Sequence, residues 1–281
     1  DLPEVGGKGA NLGELAAAGI HVPPGFVITA DAYSGTLTDS GISARIAAAL
    51  ATASEPPGGA RQTAALIKEI FGTVSLPSNL TDEILSCYRT LGSGHVAVRS
   101  SATAEDLAEA SFAGQQSTYL NVRGEPQLLA AIEDCWASLF EEHAISYRAR
   151  QQFDHLEAKM AVVVQEMVQS HRSGVMFTVN PVTGDNGEVV IEAAYGLGEA
   201  VVSGVMTPDM YVLDKTTAAV VSLDVSEQDR ELVRNENAQP GEDPNHWLPI
   251  EPARGRTQKL APDELTELLK LALRVEEHYG G

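Results

Sequence analysis

Cysteine is scarce in this 281-residue chain, and its two cysteines show no pairing pattern. Cys87 and Cys135 form neither a Cys-x-x-Cys motif nor a Cys/His spacing typical of zinc sites. A disulfide framework and a structural zinc site are therefore excluded as the basis of the fold. Both residues lie in segments with helical spacing, and we expect two buried thiols in a reducing compartment.

Positive charge is also scarce. The chain has 19 lysines and arginines against 39 aspartates and glutamates, which gives a formal net charge of -20. A field of this sign repels phosphate polymers, and it excludes a broad electrostatic surface for nucleic acid or for an anionic membrane. A small phosphate ligand would need a few cations placed close together.

Long apolar runs are missing as well. No stretch approaches the roughly 18 apolar residues that a membrane-spanning helix needs, and no basic segment followed by an apolar one opens the chain. We expect a soluble, cytoplasmic protein. The chain begins with Asp1 and ends with Gly280 and Gly281, and we expect that both ends are trimmed.

Apolar residues nevertheless make up 43% of the chain, enough for a sizeable core. In the first half their spacing is mainly helical. A short helix near Leu12 and a strand at 26–29 open the chain, and helical stretches follow at residues 42–50, 66–71, 84–91 and 126–151. Trp136 lies on the apolar stripe of the last stretch, which predicts a core position. A short strand is expected at 96–99, followed by a polar loop at 100–109.

The second half begins with strand-like patterns. These segments are residues 161–164, 174–179, 189–193 and 210–213. Turn-forming residues at 180–187 predict a hairpin loop. Residues 226–252 are polar and without clear periodicity, which predicts a loop-rich excursion or lid, and residues 262–278 predict a final helix. This order of elements indicates an α+β fold.

Two cations stand in segments suited to phosphate. Lys8 lies in the sequence Gly-Gly-Lys-Gly before a helix, where glycines allow close backbone approach and the helix dipole favours an anion. The spacing is not that of a Walker A motif, and a solvated lysine in a flexible loop is the alternative. Arg99 ends a predicted strand beside three hydroxyls, on the face opposite Val96 and Val98. A helix N-cap formed by Thr103 is the alternative there.

Two further segments could contact a nucleotide. Gly114 permits close backbone approach, and Thr118 offers a hydroxyl to phosphate or ribose, although a simple turn between strands would explain both. Gln165 and Glu166 follow a buried strand, where amides and a carboxylate could reach a base and its ribose. Ordinary polarity at a strand end is the alternative.

Seven short motifs occur in an order that resembles the amino-terminal domain of the pyruvate phosphate dikinase and phosphoenolpyruvate synthase superfamily. The motifs are GGKGANLGEL, VRSSATAEDL, ASFAGQ, CWASLF, QFDH, SGVMFT and YGLGEA. The resemblance covers nearly the whole chain and implies an ATP-grasp fold, in which two lobes clamp Mg-ATP. It implies a first lobe at residues 1–166 and a second at 167–281.

The resemblance also implies roles for individual residues. Lys8 and Arg99 would hold the ATP phosphates and serve catalysis, joined by Gly114 and Thr118. The adenosine would be held by Gln165, Glu166 and Val168. ATP and Mg²⁺ are the implied cofactors, and no residue of this chain is assigned as a metal ligand.

Within the superfamily, Gly9-Ala10-Asn11, Trp136 and the QFDH motif resemble those of the rifampin phosphotransferases. The implied enzyme is a dikinase-type, ATP-dependent phosphotransferase that inactivates the antibiotic. The β-phosphoryl group of ATP would pass through a histidine on another domain to rifampin, giving AMP and phosphate. The alternatives are the ATP-binding domain of a phosphoenolpyruvate synthase, with pyruvate as acceptor, and a non-catalytic nucleotide-sensing module.

The expected partners are the phosphohistidine and acceptor-binding domains of the same full-length chain. None of the seven histidines here has the sequence context of the phosphocarrier, and we interpret all seven as structural or surface residues. The family continues beyond the final helix into a segment with an acidic metal ligand and a Gln-Ser-Arg-Pro stretch. We therefore expect the fragment alone to be incomplete.

Overall fold

The computed structural model describes residues 1–51, 59–73, 75–103, 117–239 and 241–280. The chain divides into two compact units, Asp1–Met167 and Val168–Gly281. Both contain helices and sheets, which confirms the α+β class. The interpretation of 1–166 and 167–281 as ATP-grasp lobes stays a prediction. Among the described helices, none combines the length and the apolar character that crossing a membrane requires.

The first unit contains seven α-helices and one antiparallel sheet within its described residues. The helices are α1 (Leu2–Ala17), α2 (Ala30–Asp39), α3 (Ile42–Ala51), α4 (Gly59–Gly72), α5 (Ser78–Thr90), α6 (Glu125–Ala137) and α7 (Glu142–Gln151). The strands are β1 (Gly25–Ile28), β2 (Val96–Ala102), β3 (Thr118–Val122) and β4 (Met160–Glu166). In the sheet they lie in the order β1-β4-β2-β3, so β2 is flanked on both sides.

The two faces of this sheet differ in character. On one face, Val98 of β2 and Val164 of β4 are direct partners, and both are fully buried in the main core with Trp136 of α6. Side chains alternate along a strand, so Arg99 and Ser101 point to the opposite face. The period-two pattern predicted this separation of Arg99 from the valines.

The polar loop expected at 100–109 begins inside a strand instead. Ser100, Ser101 and Ala102 pair with Val162, Ala161 and Met160 of β4, and the two serines are only 1% and 0% exposed. The prediction was wrong here because backbone pairing with a buried neighbouring strand outweighs the polarity of two small side chains. Residues 104–109 lie outside the described part of the chain.

Three other predictions need correction in the first unit. The helix expected at 126–151 is broken by a 3-10 turn at Ser138–Phe140, where the Ser138 hydroxyl donates to the Cys135 carbonyl at 2.6 Å. The Gly-Gly-Lys-Gly segment was expected before a helix, and it instead forms the kink of α1 and the first turn of the helical part that follows Gly6. Cys135 is buried as expected, but Cys87 is only partly buried because its neighbour Tyr88 faces the core.

The second unit contains a four-stranded antiparallel sheet and a separate hairpin. The sheet strands are β5 (Arg172–Phe177), β6 (Glu188–Tyr195), β7 (Asp209–Asp214) and β8 (Val220–Asp224), in that order. The hairpin strands are β9 (Arg230–Arg234) and β10 (Asn245–Pro249). The helices are α8 (Glu199–Val202), α9 (Pro252–Gly255) and α10 (Pro262–Tyr279). Leu265 and Leu269 of α10 pack against Val189 and Tyr211 of the sheet.

The hairpin corrects the expectation of a loop-rich excursion at 226–252. Trp247 of β10 pairs with Leu232 of β9, and the Arg230 guanidinium lies 4.5 Å from the centre of the Trp247 ring. Cation–π contacts of this kind can stabilise a hairpin whose strands lack alternating apolar and polar residues. The sequence of β9 and β10 therefore lacks the alternation by which strands are usually predicted. The predicted hairpin loop at 180–187 is confirmed between β5 and β6.

A buried ion pair fixes the connections of the second unit. The Lys259 ammonium lies 2.8 Å from the Asp209 carboxylate, and both side chains are 0% exposed. The carboxylate also accepts hydrogen bonds from the Tyr211 hydroxyl at 2.8 Å and the Ser226 backbone N–H at 3.0 Å. The pair therefore ties the start of β7 to the segments that precede β9 and α10.

Candidate functional site

The Gly-Gly-Lys-Gly segment is shaped by a kink in α1. Gly6 has φ 68° and ψ 174°, which divides the helix into a short first turn and a longer second part. Gly6 occupies the N-cap position of that second part but has no side chain to cap it. N-cap side chains normally accept a hydrogen bond from the second or third helical N–H.

Ser101 of β2 supplies the missing cap from another element. Its hydroxyl accepts a hydrogen bond from the Gly9 N–H at 3.3 Å, the position that an N-cap side chain would serve. The same hydroxyl donates to the Val5 carbonyl at 2.8 Å. One buried side chain therefore joins both sides of the kink to the central sheet.

The close approach of Ser101 requires glycine at position 6. A Cβ atom there would lie 2.3 Å from the Ser101 carbonyl oxygen and 2.4 Å from its Oγ. The positive φ of Gly6 is a second reason, because residues with a side chain are strained in that region. The sequence and the packing thus agree on a tight backbone turn next to Lys8.

Lys8 lies at the start of the second part of α1. Helix N-termini favour anions, and the charge of Lys8 adds to this effect. The side chain also influences α6. Burial and the neighbouring Asp134 charge raise the pKa of the Cys135 thiol, whereas the positive charge of Lys8 opposes that rise.

Arg99 and Thr118 are direct partners across the β2–β3 ladder. Partners in an antiparallel ladder present their side chains on the same face. Ser101 lies two residues beyond Arg99 on the same strand, which corresponds to roughly 6.6 Å along a strand. The guanidinium, the Thr118 hydroxyl and the kinked segment of α1 at residues 6–9, which we call the Lys8 loop, therefore belong to one face of one sheet.

Gln165 lies on this face as well, near the other end of β4. It is 8% exposed, and its Nε2 donates to the Pro23 carbonyl at 3.0 Å, which holds the start of β1. Glu166 is exposed, and its backbone N–H donates to the Pro24 carbonyl at 2.8 Å. Val168, 57% exposed, begins the second unit. Gly114 lies outside the described residues.

The sequence pattern did not reveal what Ser101 does. The sequence pattern includes Ser101 among the three hydroxyls beside Arg99, but the loop predicted at 100–109 does not include a strand at Ser101. Its spacing of two from Arg99 was the available signal, since it places both residues on one strand face. The partner of the hydroxyl could not be read from spacing, because Ser101 and Gly9 are 92 residues apart.

The described residues favour a phosphate-bearing ligand. Lys8 and Arg99 offer positive charge, and Thr118 offers a hydroxyl. The turn at Gly6 leaves no side chain between the backbone and a ligand. Among the residues that the structure describes, no group of three or more His, Cys, Asp and Glu side chains is arranged to hold a metal ion.

Comparison with known proteins agrees with this chemistry. The family model "Pyruvate phosphate dikinase, AMP/ATP-binding domain" matches residues 2–281. A probable phosphoenolpyruvate synthase of Pyrococcus horikoshii is 39% identical over 320 residues, covering 100% of this chain and 39% of the relative. A protein of the same description from Methanothermobacter thermautotrophicus is 43% identical over 287 residues, covering 100% and 41%. The phosphoenolpyruvate synthase of Aeropyrum pernix is 42% identical over 306 residues, covering 99% and 37%.

These relatives change the emphasis of the sequence interpretation. They carry the name of phosphoenolpyruvate synthase, which favours that alternative over rifampin phosphorylation, for which they give no support. The chain spans about two fifths of the length of these relatives, whose remaining length therefore contains further parts. The match of the family model to residues 2–281 means that the chain belongs to the family of pyruvate phosphate dikinase AMP/ATP-binding domains.

Proposed function

We propose that this chain is the ATP-binding domain of a phosphoenolpyruvate synthase and that its fold is of the ATP-grasp type. The observation that carries the proposal is the kinked segment of α1 that contains Lys8, which Ser101 caps from the same sheet face as Arg99 and Thr118. The names of the relatives support pyruvate as the final acceptor.

Lys8 and Arg99 bind the phosphate oxygens in this proposal. Phosphoryl transfer depends chiefly on positioning and on neutralising charge, and two fixed cations supply both. A guanidinium can bind two oxygens of one phosphate, whereas an ammonium acts as a point charge. Arg99 therefore orients the phosphates, and Lys8 chiefly neutralises them.

The remaining assignments rest on the resemblance of the sequence motifs. Thr118 would add a hydrogen bond to the phosphates, and Gly114 would allow close backbone approach. Adenosine would be held by Gln165, Glu166 and Val168. The Gln165 amide already donates to the Pro23 carbonyl, so the side chain also stabilises the edge of this site.

Magnesium enters the proposal as part of the substrate, Mg-ATP. Proteins often hold Mg²⁺ through one or two carboxylates together with substrate phosphates. The full-length enzyme would transfer the β-phosphoryl group to a histidine on another domain and then to pyruvate. AMP would leave as the α-phosphate product, the γ-phosphoryl group would pass to water and leave as phosphate, and pyruvate would become phosphoenolpyruvate.

Calorimetric titration of Mg-ATP tests the nucleotide site. We would titrate this chain and a version extended toward the length of its relatives, each with Lys8→Ala and Arg99→Ala. Loss of a hydrogen bond to a charged group should weaken binding about 10-fold to 100-fold. Arg61→Ala, at an exposed position of α4, is the matched control.

Two results would contradict the proposal. One is the absence of Mg-ATP binding by both forms, and the other is equal binding by Arg99→Ala and Arg61→Ala. Identifying the phosphoryl acceptor requires the full-length protein. In that protein, pyruvate should increase the rate at which AMP forms from ATP. AMP formation that does not respond to pyruvate would contradict the synthase assignment while leaving the nucleotide site in place.

A further inference from the structure

We propose that Ser101 is a positioning residue that holds the Lys8 loop in register with Arg99. This inference rests on the proposed function and assigns a role in nucleotide binding to a side chain that does not itself contact the nucleotide.

The hydrogen bonds of Ser101 are the first argument. Its side chain is 0% exposed, and its hydroxyl both accepts from the Gly9 N–H and donates to the Val5 carbonyl. The donor of the hydroxyl is thus already used within the protein. A role for Ser101 must therefore pass through the loop that it holds.

The position of Ser101 in the sheet is the second argument. β2 pairs with β4 from Val96 to Ala102 and with β3 on its other side, so its backbone is held along most of its length. Arg99 and Ser101 are two residues apart on this strand, so their side chains are neighbours on the same face. The cap thereby fixes the backbone of Lys8 relative to the backbone of Arg99 through one paired strand.

The expected effect follows from preorganisation. Two cations that must act on one triphosphate bind it best when their separation is fixed before binding. Without the Ser101 hydroxyl, the Gly9 N–H loses its cap, and the loop must be ordered when the ligand binds. Typical costs of losing an N-cap correspond to about a fivefold to tenfold loss of affinity.

The test compares Ser101→Ala with Ser100→Ala by calorimetric titration of Mg-ATP. Ser100 is the neighbouring residue, is 1% exposed and points to the opposite sheet face, and its hydroxyl has no hydrogen-bond partner among the described residues. Both variants remove one buried hydroxyl from β2. We expect weaker binding only for Ser101→Ala. Ser101→Cys, which keeps the size and a weak hydrogen-bonding group, should restore part of the affinity.

A double-mutant cycle separates positioning from general destabilisation. If Ser101 acts through Lys8, then Ser101→Ala should cost little further affinity in a Lys8→Ala background. A full fivefold to tenfold loss in that background, or unchanged affinity of Ser101→Ala in the unmodified background, would overturn the inference. If Ser101→Ala does not fold, the same comparison is made with Ser101→Cys.

Hydrogen exchange at the Gly9 amide gives a readout without ligand. Exchange should become faster in Ser101→Ala and stay unchanged in Ser100→Ala, and unchanged exchange in both would overturn the proposed cap. Failure of the unmodified chain and its extended version to bind Mg-ATP would contradict the proposed function and, with it, the nucleotide role of Ser101. The exchange result would still decide whether the cap exists.

Discussion

Arg99 lies directly opposite Thr118 across the β2–β3 ladder, on the sheet face from which Ser101 reaches α1. If this face binds the phosphates, the Thr118 hydroxyl should contribute one hydrogen bond. Thr118→Val keeps the shape of the side chain but removes that hydroxyl, and we expect about twofold to tenfold weaker Mg-ATP binding by calorimetry. Thr118→Ser keeps the hydroxyl and should bind nearly as tightly as the unmodified chain. Equal affinity of the Val and Ser variants would contradict this role.

The kink at Gly6 predicts a sharp difference between two glycines of α1. Gly6→Ala places a Cβ atom 2.3 Å from the Ser101 carbonyl oxygen at a φ of 68°. We expect it to lower the free energy of unfolding by about 1–3 kcal/mol and to weaken Mg-ATP binding. Gly13 is exposed, and a Cβ atom there would meet nothing within 4 Å. Gly13→Ala should raise stability by about 0.5–1 kcal/mol. Urea unfolding measures the free energy of unfolding of both variants. Equal changes in Gly6→Ala and Gly13→Ala would contradict the packing described for Gly6.

Glu133 predicts a pH dependence of stability. Burial, with a smaller contribution from the Asp134 charge, raises the pKa of Glu133 from 4.5 to about 7. Between these values the folded chain binds more protons than the unfolded chain, so the contribution of Glu133 to stability falls as the pH rises. Because the side chain is partly exposed, we expect a cost of about 1–2 kcal/mol above pH 7.

Glu133→Gln should remove this cost. We expect urea unfolding to show a gain of about 1–2 kcal/mol at pH 8 and little change at pH 4.5. Glu83→Gln, at an exposed position of α5, is the control for the loss of one negative charge. An equal gain at both pH values, or the same gain in the control, would contradict the assignment to Glu133.

The buried ion pair of the second unit predicts a large loss of stability from a single change. Lys259→Met leaves the Asp209 carboxylate buried without its countercharge, and we expect a cost of about 3–5 kcal/mol. Hydrogen exchange of peptides from β7 and α10, measured along a urea series, would report it. Lys270→Met, at an exposed position of α10, should stay within about 0.5 kcal/mol of the unmodified chain. A similar small effect at Lys259 would contradict the described burial.

The sequence predicted the elements whose apolar spacing is strong. The final helix was expected at 262–278 and runs from Pro262 to Tyr279, because its leucines repeat with helical spacing. The strand expected at 161–164 extends over Met160–Glu166 for a similar reason, since a continuous apolar run marks a buried strand. The hairpin β9–β10 was missed because contacts such as Arg230 with Trp247 leave no apolar alternation.

The candidate site was predicted in residue type more than in geometry. Lys8, Arg99 and Thr118 could be chosen because cations, glycines and hydroxyls suit phosphate, and their roles stay predictions until nucleotide binding is measured. Their arrangement depends on strand register and on the contact of Ser101 with Gly9. Register and such long-range contacts are fixed by tertiary packing, which local periodicity does not encode.

The cap of the Lys8 loop also bears on protein synthesis. Its hydroxyl belongs to a residue 92 positions after the N–H that it satisfies. At a translation rate of about 5–20 residues per second, β2 is synthesised several seconds after the Lys8 loop. The Lys8 loop therefore leaves the ribosome without its cap. It cannot adopt its final conformation until β2 has emerged and Ser101 has formed the hydrogen bond to Gly9.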